Sequence, residues 1–110
     1  MVLYPHLKSH PQYKLAKKQM SLGGSLVTFE IKGGQKRAMR FLNAIQLCSL
    51  TSNLGDSRSI VTHPTSTTHS KLTEEERLSV GIKPGMIRIS VGLEDVEDII
   101  ADVKQALKKS

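Results

Sequence analysis

At 110 residues the chain has the length of one ordinary domain with one core, able to bury roughly two-thirds of the surface that its unfolded form exposes. Apolar residues make up 38% and aromatic residues 4%, so the core falls to Leu, Ile, Val and Met, with Phe29 and Phe41 as its large pieces. The net charge of +6 is concentrated at the front, where residues 1–40 hold eight of the sixteen Lys and Arg but only one of the ten acids, Glu30.

No apolar run approaches the roughly 20 residues that span a bilayer, and no charged-then-apolar leader opens the chain. The expectation is a soluble, unexported, cytoplasmic protein with no membrane partner. Cys48 is the only cysteine, which excludes an internal disulfide and suits a reducing compartment. Its apolar setting, Leu47-Cys48-Ser49-Leu50, favours a buried small hydrophobe over a reactive thiol. Lys14, Lys17, Lys18, Lys36, Arg37 and Arg40 could neutralise phosphates. No aromatic residue interleaves with them to stack bases, so a solvated or interdomain helix face is favoured and no nucleic-acid partner is expected.

In chain order, Ser9-His10-Pro11-Gln12 reads as a helix start, with Ser9 as N-cap and Pro11 in the first turn, and predicts a helix from about Pro11 to Met20. Gly23-Gly24 closes it. Ser25 to Ile31 then alternates, with Val27, Phe29 and Ile31 on one face, as a half-buried strand does. After Gly33-Gly34, Ala38, Phe41, Leu42 and Ile45 make one helical stripe that should cover the sheet. Leu47 to Thr51 and Ser59 to Thr62 are short strand candidates, and Asn53 to Asp56 supplies turn chemistry between them. Thr73-Glu74-Glu75-Glu76 is a capping box opening a short helix. Met86 to Val91 alternates again. From Asp95 onward, Val96, Ile99, Ile100, Val103 and Leu107 share a helical face, with acids leading and Lys104, Lys108 and Lys109 closing. The predicted class is α+β, a mostly antiparallel four-stranded sheet with helices packed on one face.

The pleat of Met86-Ile87-Arg88-Ile89-Ser90-Val91 puts Ile87, Ile89 and Val91 on one face and Met86, Arg88 and Ser90 on the other. With the aliphatic trio against the helices, Arg88 projects from the uncovered face. There its planar fork matches the two oxygens of a carboxylate. Alternation alone favours an exposed arginine paired with a surface acid; the surrounding pattern of motifs reverses that. His6, His10, His63 and His69 could suggest a metal, but Pro5 and Pro11 keep His6 off a helix, and the later two fit a polar loop better. Gly23-Gly24 and Gly33-Gly34 lack the spacing of a nucleotide loop and read as turn glycines.

The order and spacing of Leu3-Tyr4-Pro5, Ser9-His10-Pro11, Phe29-Glu30, Asn53-Leu54-Gly55-Asp56, His63-Pro64, Thr67-Thr68-His69, Arg88 and Val91-Gly92-Leu93-Glu94-Asp95 resemble the C-terminal domain of the pyridoxal-phosphate enzymes of cysteine and methionine metabolism. His6 departs from the glycine that the family usually has after Tyr-Pro. The resemblance implies that residues 1–110 are the single small domain of a fold-type I enzyme, with the large cofactor-binding domain absent. It also implies that Arg88 binds the α-carboxylate of an amino-acid substrate and that Asn53 and Leu54 line the same pocket. Serine stands at the Asn53 position in several relatives, the γ-lyases among them, whereas Asn53-Leu54-Gly55-Asp56-Ser57-Arg58-Ser59 looks closest to the O-succinylhomoserine sulfhydrylases.

The implied chemistry is γ-replacement in methionine biosynthesis, where the cofactor serves as electron sink while succinate leaves Cγ and sulfide adds to give homocysteine. Other members, the O-acetylhomoserine sulfhydrylases, cystathionine γ-synthases and γ-lyases, are the alternatives, together with a non-catalytic remnant or interaction module. Pyridoxal 5'-phosphate and a homotetramer are implied for the parent enzyme. No lysine here has the motif surrounding the one that holds the cofactor, so the chain alone is expected to be inactive, without cofactor or metal. It is also expected to self-associate through apolar surface near Leu3, Leu7, Met20 and Leu22.

Overall fold

The computed structural model describes residues 1–110. Its elements follow in the order β1 (Val2–Leu3), α1 (Tyr13–Gln19), β2 (Leu26–Glu30), α2 (Gly34–Ala44), β3 (Ser49–Leu50), β4 (Ile60–Thr62), a 3-10 turn at Pro64–Ser66, α3 (Glu74–Ser79), β5 (Met86–Ser90) and α4 (Val96–Lys109). One sheet contains all the strands, in the order β1-β2-β5-β4-β3. No helix is long and apolar enough to cross a membrane.

The α+β class holds, but the four-stranded sheet expected from the sequence is corrected in two ways. A fifth strand, β1, pairs antiparallel with β2; its two residues, Val2 and Leu3, are too few to display alternation. The sheet is also mixed, because β3 runs parallel to β4 while the other pairs are antiparallel. A tight turn cannot join parallel strands, so Asn53 to Asp56 is part of a crossover rather than a hairpin.

The aliphatic face of β5 carries Ile87 and Ile89, and the registers place Val27 and Phe29 of β2 and Val61 of β4 beside them. Ala38, Phe41 and Leu42 of α2 and Ala106 of α4 close over this face to form the core. Phe41 is fully buried and meets the Phe29 ring edge-on, with centroids 5.7 Å apart and an interplanar angle of 88°. Only α2 and α4 cover the sheet in this way. α1 buries Ala16 alone, and α3 buries nothing.

The helix ends show where local signals held. Thr73 Oγ1 accepts from the Glu76 N–H at 3.2 Å and the Glu76 carboxylate accepts from the Thr73 N–H at 2.8 Å, so the capping box is formed. Ser9 caps nothing. α1 starts at Tyr13, because Pro11 disfavours helical backbone at His10. The turn before it is held by His10 Nδ1, which accepts from the Gln12 N–H at 3.1 Å. Ile45 follows the end of α2 in extended backbone, still packed on the core.

α4 departs most from its apolar pattern. Of Val96, Ile99, Ile100, Val103 and Leu107 only Ile99 is buried, and the helix is turned so that Asp102 and Ala106 face inward. The carboxylate of Asp102, 6% exposed, is the reason. It accepts from the N–H groups of Gln46 at 2.8 Å, Leu47 at 2.9 Å and Cys48 at 3.0 Å, and from the Gln105 amide at 3.0 Å. Sequence reading passed over Asp102, since an acid within a helix ordinarily marks a solvated face. Cys48 is buried beside it, and burial together with the Asp102 charge pushes its thiol up to about 12.

Burial raises the Asp102 pKa, but the N–H donors of Cys48, Gln46 and Leu47 and the Gln105 amide outweigh it and hold the carboxyl below its usual value. Asp102→Ala should cost about 3 kcal/mol in urea unfolding at neutral pH, since it strands buried donors. A folded pKa below the unfolded one stabilises above the unfolded value, ~3.9, and that stabilisation is lost as pH falls through the folded value. The gap between wild type and Asp102→Asn should therefore close in acid; a gap independent of pH would show that the charge is immaterial.

Candidate functional site

Arg88 occupies the middle strand of the sheet and points away from Ile87 and Ile89, as the alternation predicts. Thr28 of β2 and Thr62 of β4 stand directly opposite it on either side. The guanidinium is half-buried and forms no ion pair. The chain's two ion pairs are Arg58 with Asp56 at 3.4 Å and Lys83 with Glu30 at 3.2 Å. Its single protein hydrogen bond is long, from Nη2 to the Ser52 carbonyl at 3.5 Å. Most of a five-donor planar fork is thus left to an outside anion, and a carboxylate matches it with two parallel bonds.

The crossover from β3 to β4 brings Asn53 and Leu54 to the same face. Residues 51–59 leave the edge strand, pass over β4 and β5, and return into β4. Thr62 Oγ1 donates to the Thr51 carbonyl at 2.5 Å, and the Gly55 N–H donates to Ser90 Oγ at 2.9 Å. Gly55 has φ +75°, the left-handed backbone that lets the segment turn. At the exposed tip Asn53 Oδ1 accepts from the Leu54 N–H at 2.9 Å, leaving its amide N–H groups free to donate.

The block from Val91 to Asp95 anchors the far end of the crossover. The Glu94 carboxylate accepts from the Ser59 N–H at 2.8 Å and the Ser59 hydroxyl at 2.9 Å. Ser59 Oγ in turn accepts from the Gly92 N–H at 2.9 Å, and the Leu93 N–H donates to the Ser57 carbonyl at 2.8 Å. The Ser59 backbone bond holds the Glu94 carboxyl below its usual range. Gly92 has no room for a side chain, since a Cβ there would lie 2.4 Å from the Ser57 carbonyl oxygen. Asp95 then caps α4, accepting from the Glu97 N–H at 2.9 Å. Sequence reading noted these residues as a pattern without assigning their tasks. Ser90 shares the face of Arg88 by alternation alone, whereas Thr62 needed the register of β4 on β5 to be placed.

The remaining candidates have structural duties. His63 is fully buried; Nε2 bonds the Pro84 carbonyl at 2.7 Å and Nδ1 bonds Ser66 Oγ at 2.8 Å, tying the 3-10 turn to the start of β5. His69 Nδ1 pairs with the Thr68 hydroxyl at 2.8 Å. No group of three metal-ligating side chains converges. Among the front cations, Arg37 and Arg40 bond the end of α4 through the Ser110 hydroxyl and carbonyl. An apolar groove of about 370 Å³ lies on the opposite face from Arg88, between α4 and the strands, lined by Val2, Val27, Phe29, Ile100, Val103 and Leu107.

The family model for Cys/Met metabolism PLP-dependent enzymes matches residues 1–108. The chain belongs to this family. It is 53% identical over 110 residues to an L-methionine gamma-lyase of Pseudomonas putida, a match covering 100% of this chain and 28% of that protein. It is 49% identical over 110 residues to an O-succinylhomoserine sulfhydrylase of Mycobacterium tuberculosis, covering 96% and 27%. A Campylobacter jejuni crystal structure, described as an O-acetylhomoserine (thiol)-lyase with an N'-pyridoxyl-lysine-5'-monophosphate, superposes with a TM-score of 0.91 at 45% identity, covering 97% of this chain and 26% of that one. The chain spans about a quarter of the length of these relatives.

The family depends on pyridoxal phosphate, which its members hold through a lysine. Every lysine is exposed and none bonds to the Arg88 loop; the one lysine paired with an acid, Lys83 with Glu30 at 3.2 Å, forms an ion pair near Met86. These residues do not build a covalent cofactor seat; what they leave on the open face is an Arg88 guanidinium without a counterion, under the backbone of residues 51–59. The clamp at the far end of this backbone should be sensitive to volume at one position. Gly92→Ala must displace backbone of residues 57–59, and should lower stability by about 1–3 kcal/mol in denaturant unfolding. An unaltered midpoint would mean that this backbone is not held against Gly92.

Proposed function

We propose that this chain is the C-terminal small domain of a pyridoxal-phosphate enzyme resembling O-succinylhomoserine sulfhydrylase, and that Arg88 holds the α-carboxylate of its substrate. The observation that carries this reading is the half-buried Arg88 guanidinium without a counterion, crossed on the open face of the sheet by the backbone from Ser52 to Gly55, which carries Asn53 and Leu54. In the parent enzyme, a homotetramer, the overall reaction replaces the γ-acyloxy group of an O-acylhomoserine with sulfide to give homocysteine. Arg88 contributes orientation, since a carboxylate gripped at both oxygens cannot rotate about its bond to Cα. Asn53 offers amide donors toward the same ligand from the other side of the site.

A second reading has a specific observation in its favour. The match to L-methionine gamma-lyase extends over the whole chain at 53% identity, which supports γ-elimination from methionine. Both reactions begin with an amino acid held by its carboxylate, so Arg88 serves either. The full-length enzyme should be assayed with O-succinyl- and O-acetylhomoserine plus sulfide, and with methionine alone. Homocysteine formation supports the sulfhydrylase assignment; 2-oxo acid release from methionine without homocysteine formation transfers it to the lyase.

Arg88→Ala in that enzyme should lower kcat/KM roughly ten- to hundredfold, the loss of one charge-assisted pair, and Arg88→Lys should recover only part, for want of the planar fork. An unchanged constant removes Arg88 from the site. The 110-residue chain alone, mixed with pyridoxal phosphate and substrate, should show no turnover, and product formation by it would overturn the division of labour. Exposed Leu7, Met20 and Leu22 should drive its self-association, whereas Leu3, expected to join them, is partly buried in β1 against β2. Light scattering that finds only monomer at high concentration would contradict this.

A further inference from the structure

We infer that Ser90 and Thr62 are positioning residues for the carboxylate site, setting the angle at which Arg88 presents its fork; this rests on Arg88 being the carboxylate ligand. Their side chains lie on the same face as Arg88, Ser90 two residues along β5 and Thr62 directly opposite on β4. Each residue is 1% exposed. A buried hydroxyl is costly unless bonded, and both are bonded to the same crossover. Ser90 Oγ accepts from the Gly55 N–H at 2.9 Å, and Thr62 Oγ1 donates to the Thr51 carbonyl at 2.5 Å.

Between these two fixed points lie Ser52 and Asn53. The Ser52 carbonyl is the one protein acceptor that Arg88 meets, at 3.5 Å, the outer limit of a hydrogen bond. At that length a shift of the crossover by a few tenths of an ångström makes or breaks the contact. The two hydroxyls therefore decide whether the guanidinium is steered by one carbonyl or rotates freely. They also set the distance from Arg88 to the Asn53 amide, and so the width of the site. Neither hydroxyl touches the substrate in this scheme; both act through the loop and Arg88.

The test uses the full-length enzyme with Ser90→Ala, Thr62→Val and Thr62→Ser, each also combined with Arg88→Ala. Measured quantities are kcat and KM for the amino-acid substrate, and the inhibition constant of its α-carboxamide, which lacks the anionic oxygen. Ser90→Ala and Thr62→Val should each raise KM roughly three- to tenfold, as expected for one lost hydrogen bond, with kcat and amide inhibition little changed. Thr62→Ser keeps the hydroxyl and should stay near wild type. In the Arg88→Ala background the same changes should add nothing, because the group they act through is gone. Equal weakening of acid and amide, or full additivity with Arg88→Ala, would make the two hydroxyls mere supports of the fold and overturn the inference. If Arg88→Ala raises KM while Ser90→Ala and Thr62→Val do not, the positioning role alone fails. If Arg88→Ala itself leaves KM unchanged, the carboxylate reading fails and takes this inference with it.

Discussion

The parallel pairing of β3 with β4 is the constraint from which the rest of the site follows. Two strands that run the same way cannot be joined by a turn at one end, so the connecting backbone must travel across a face of the sheet. One face is already closed by α2 and α4, packed on Ile87, Ile89 and Val61. Residues 51–59 therefore cross the other, where Arg88 stands. A loop that reads as a local turn becomes a crossover bonded to Thr62, Arg88 and Ser90 because of the direction in which a two-residue strand pairs.

Two carboxylates hold the ends of this edge of the sheet by the same means. Asp102 gathers the N–H groups of Gln46, Leu47 and Cys48 just before β3, and Glu94 takes the N–H and hydroxyl of Ser59 just before β4. In each case a side chain from the C-terminal part of the chain supplies acceptors that a short strand cannot supply to its flanking backbone. Charge-assisted bonds to backbone donors favour the ionised carboxylate, which is why both acids have lowered pKa values. Arg88 presents the opposite case. It is a half-buried cation with no internal counterion and one long bond to a carbonyl, and the proposed carboxylate role rests on that imbalance.

Much of this was legible in the residue order, for reasons that differ from element to element. The alternation from Met86 to Val91 assigned Arg88 and Ser90 to the open face, because the pleat is a local property of extended backbone. The Thr73 capping box and the Ala38, Phe41 and Leu42 stripe formed as read, since both depend on residues within a turn or two of each other. Ser9 failed as a cap because a competing local rule, the restriction imposed by Pro11, moved the helix start to Tyr13. The α4 stripe formed in part: Ile99 is buried, Val103 packs on the core, and Ile100 and Leu107 line the groove against the strands while still exposed. Periodicity has no term for Asp102, which the fold buries to satisfy three N–H groups.

By itself the sequence determined the α+β class, the strand faces, the Thr73 capping box and the family, through motifs whose order and spacing survive without coordinates. The tertiary structure alone decided the parallel β3–β4 pairing, the rotation of α4 about Asp102, and the meeting of Thr51–Gly55 with Thr62, Arg88 and Ser90. Those outcomes are set by hydrogen-bond partners 11 to 56 residues apart, from Thr62 with Thr51 to Asp102 with Gln46. Local pattern says which way a side chain points; only the folded register says what it points at.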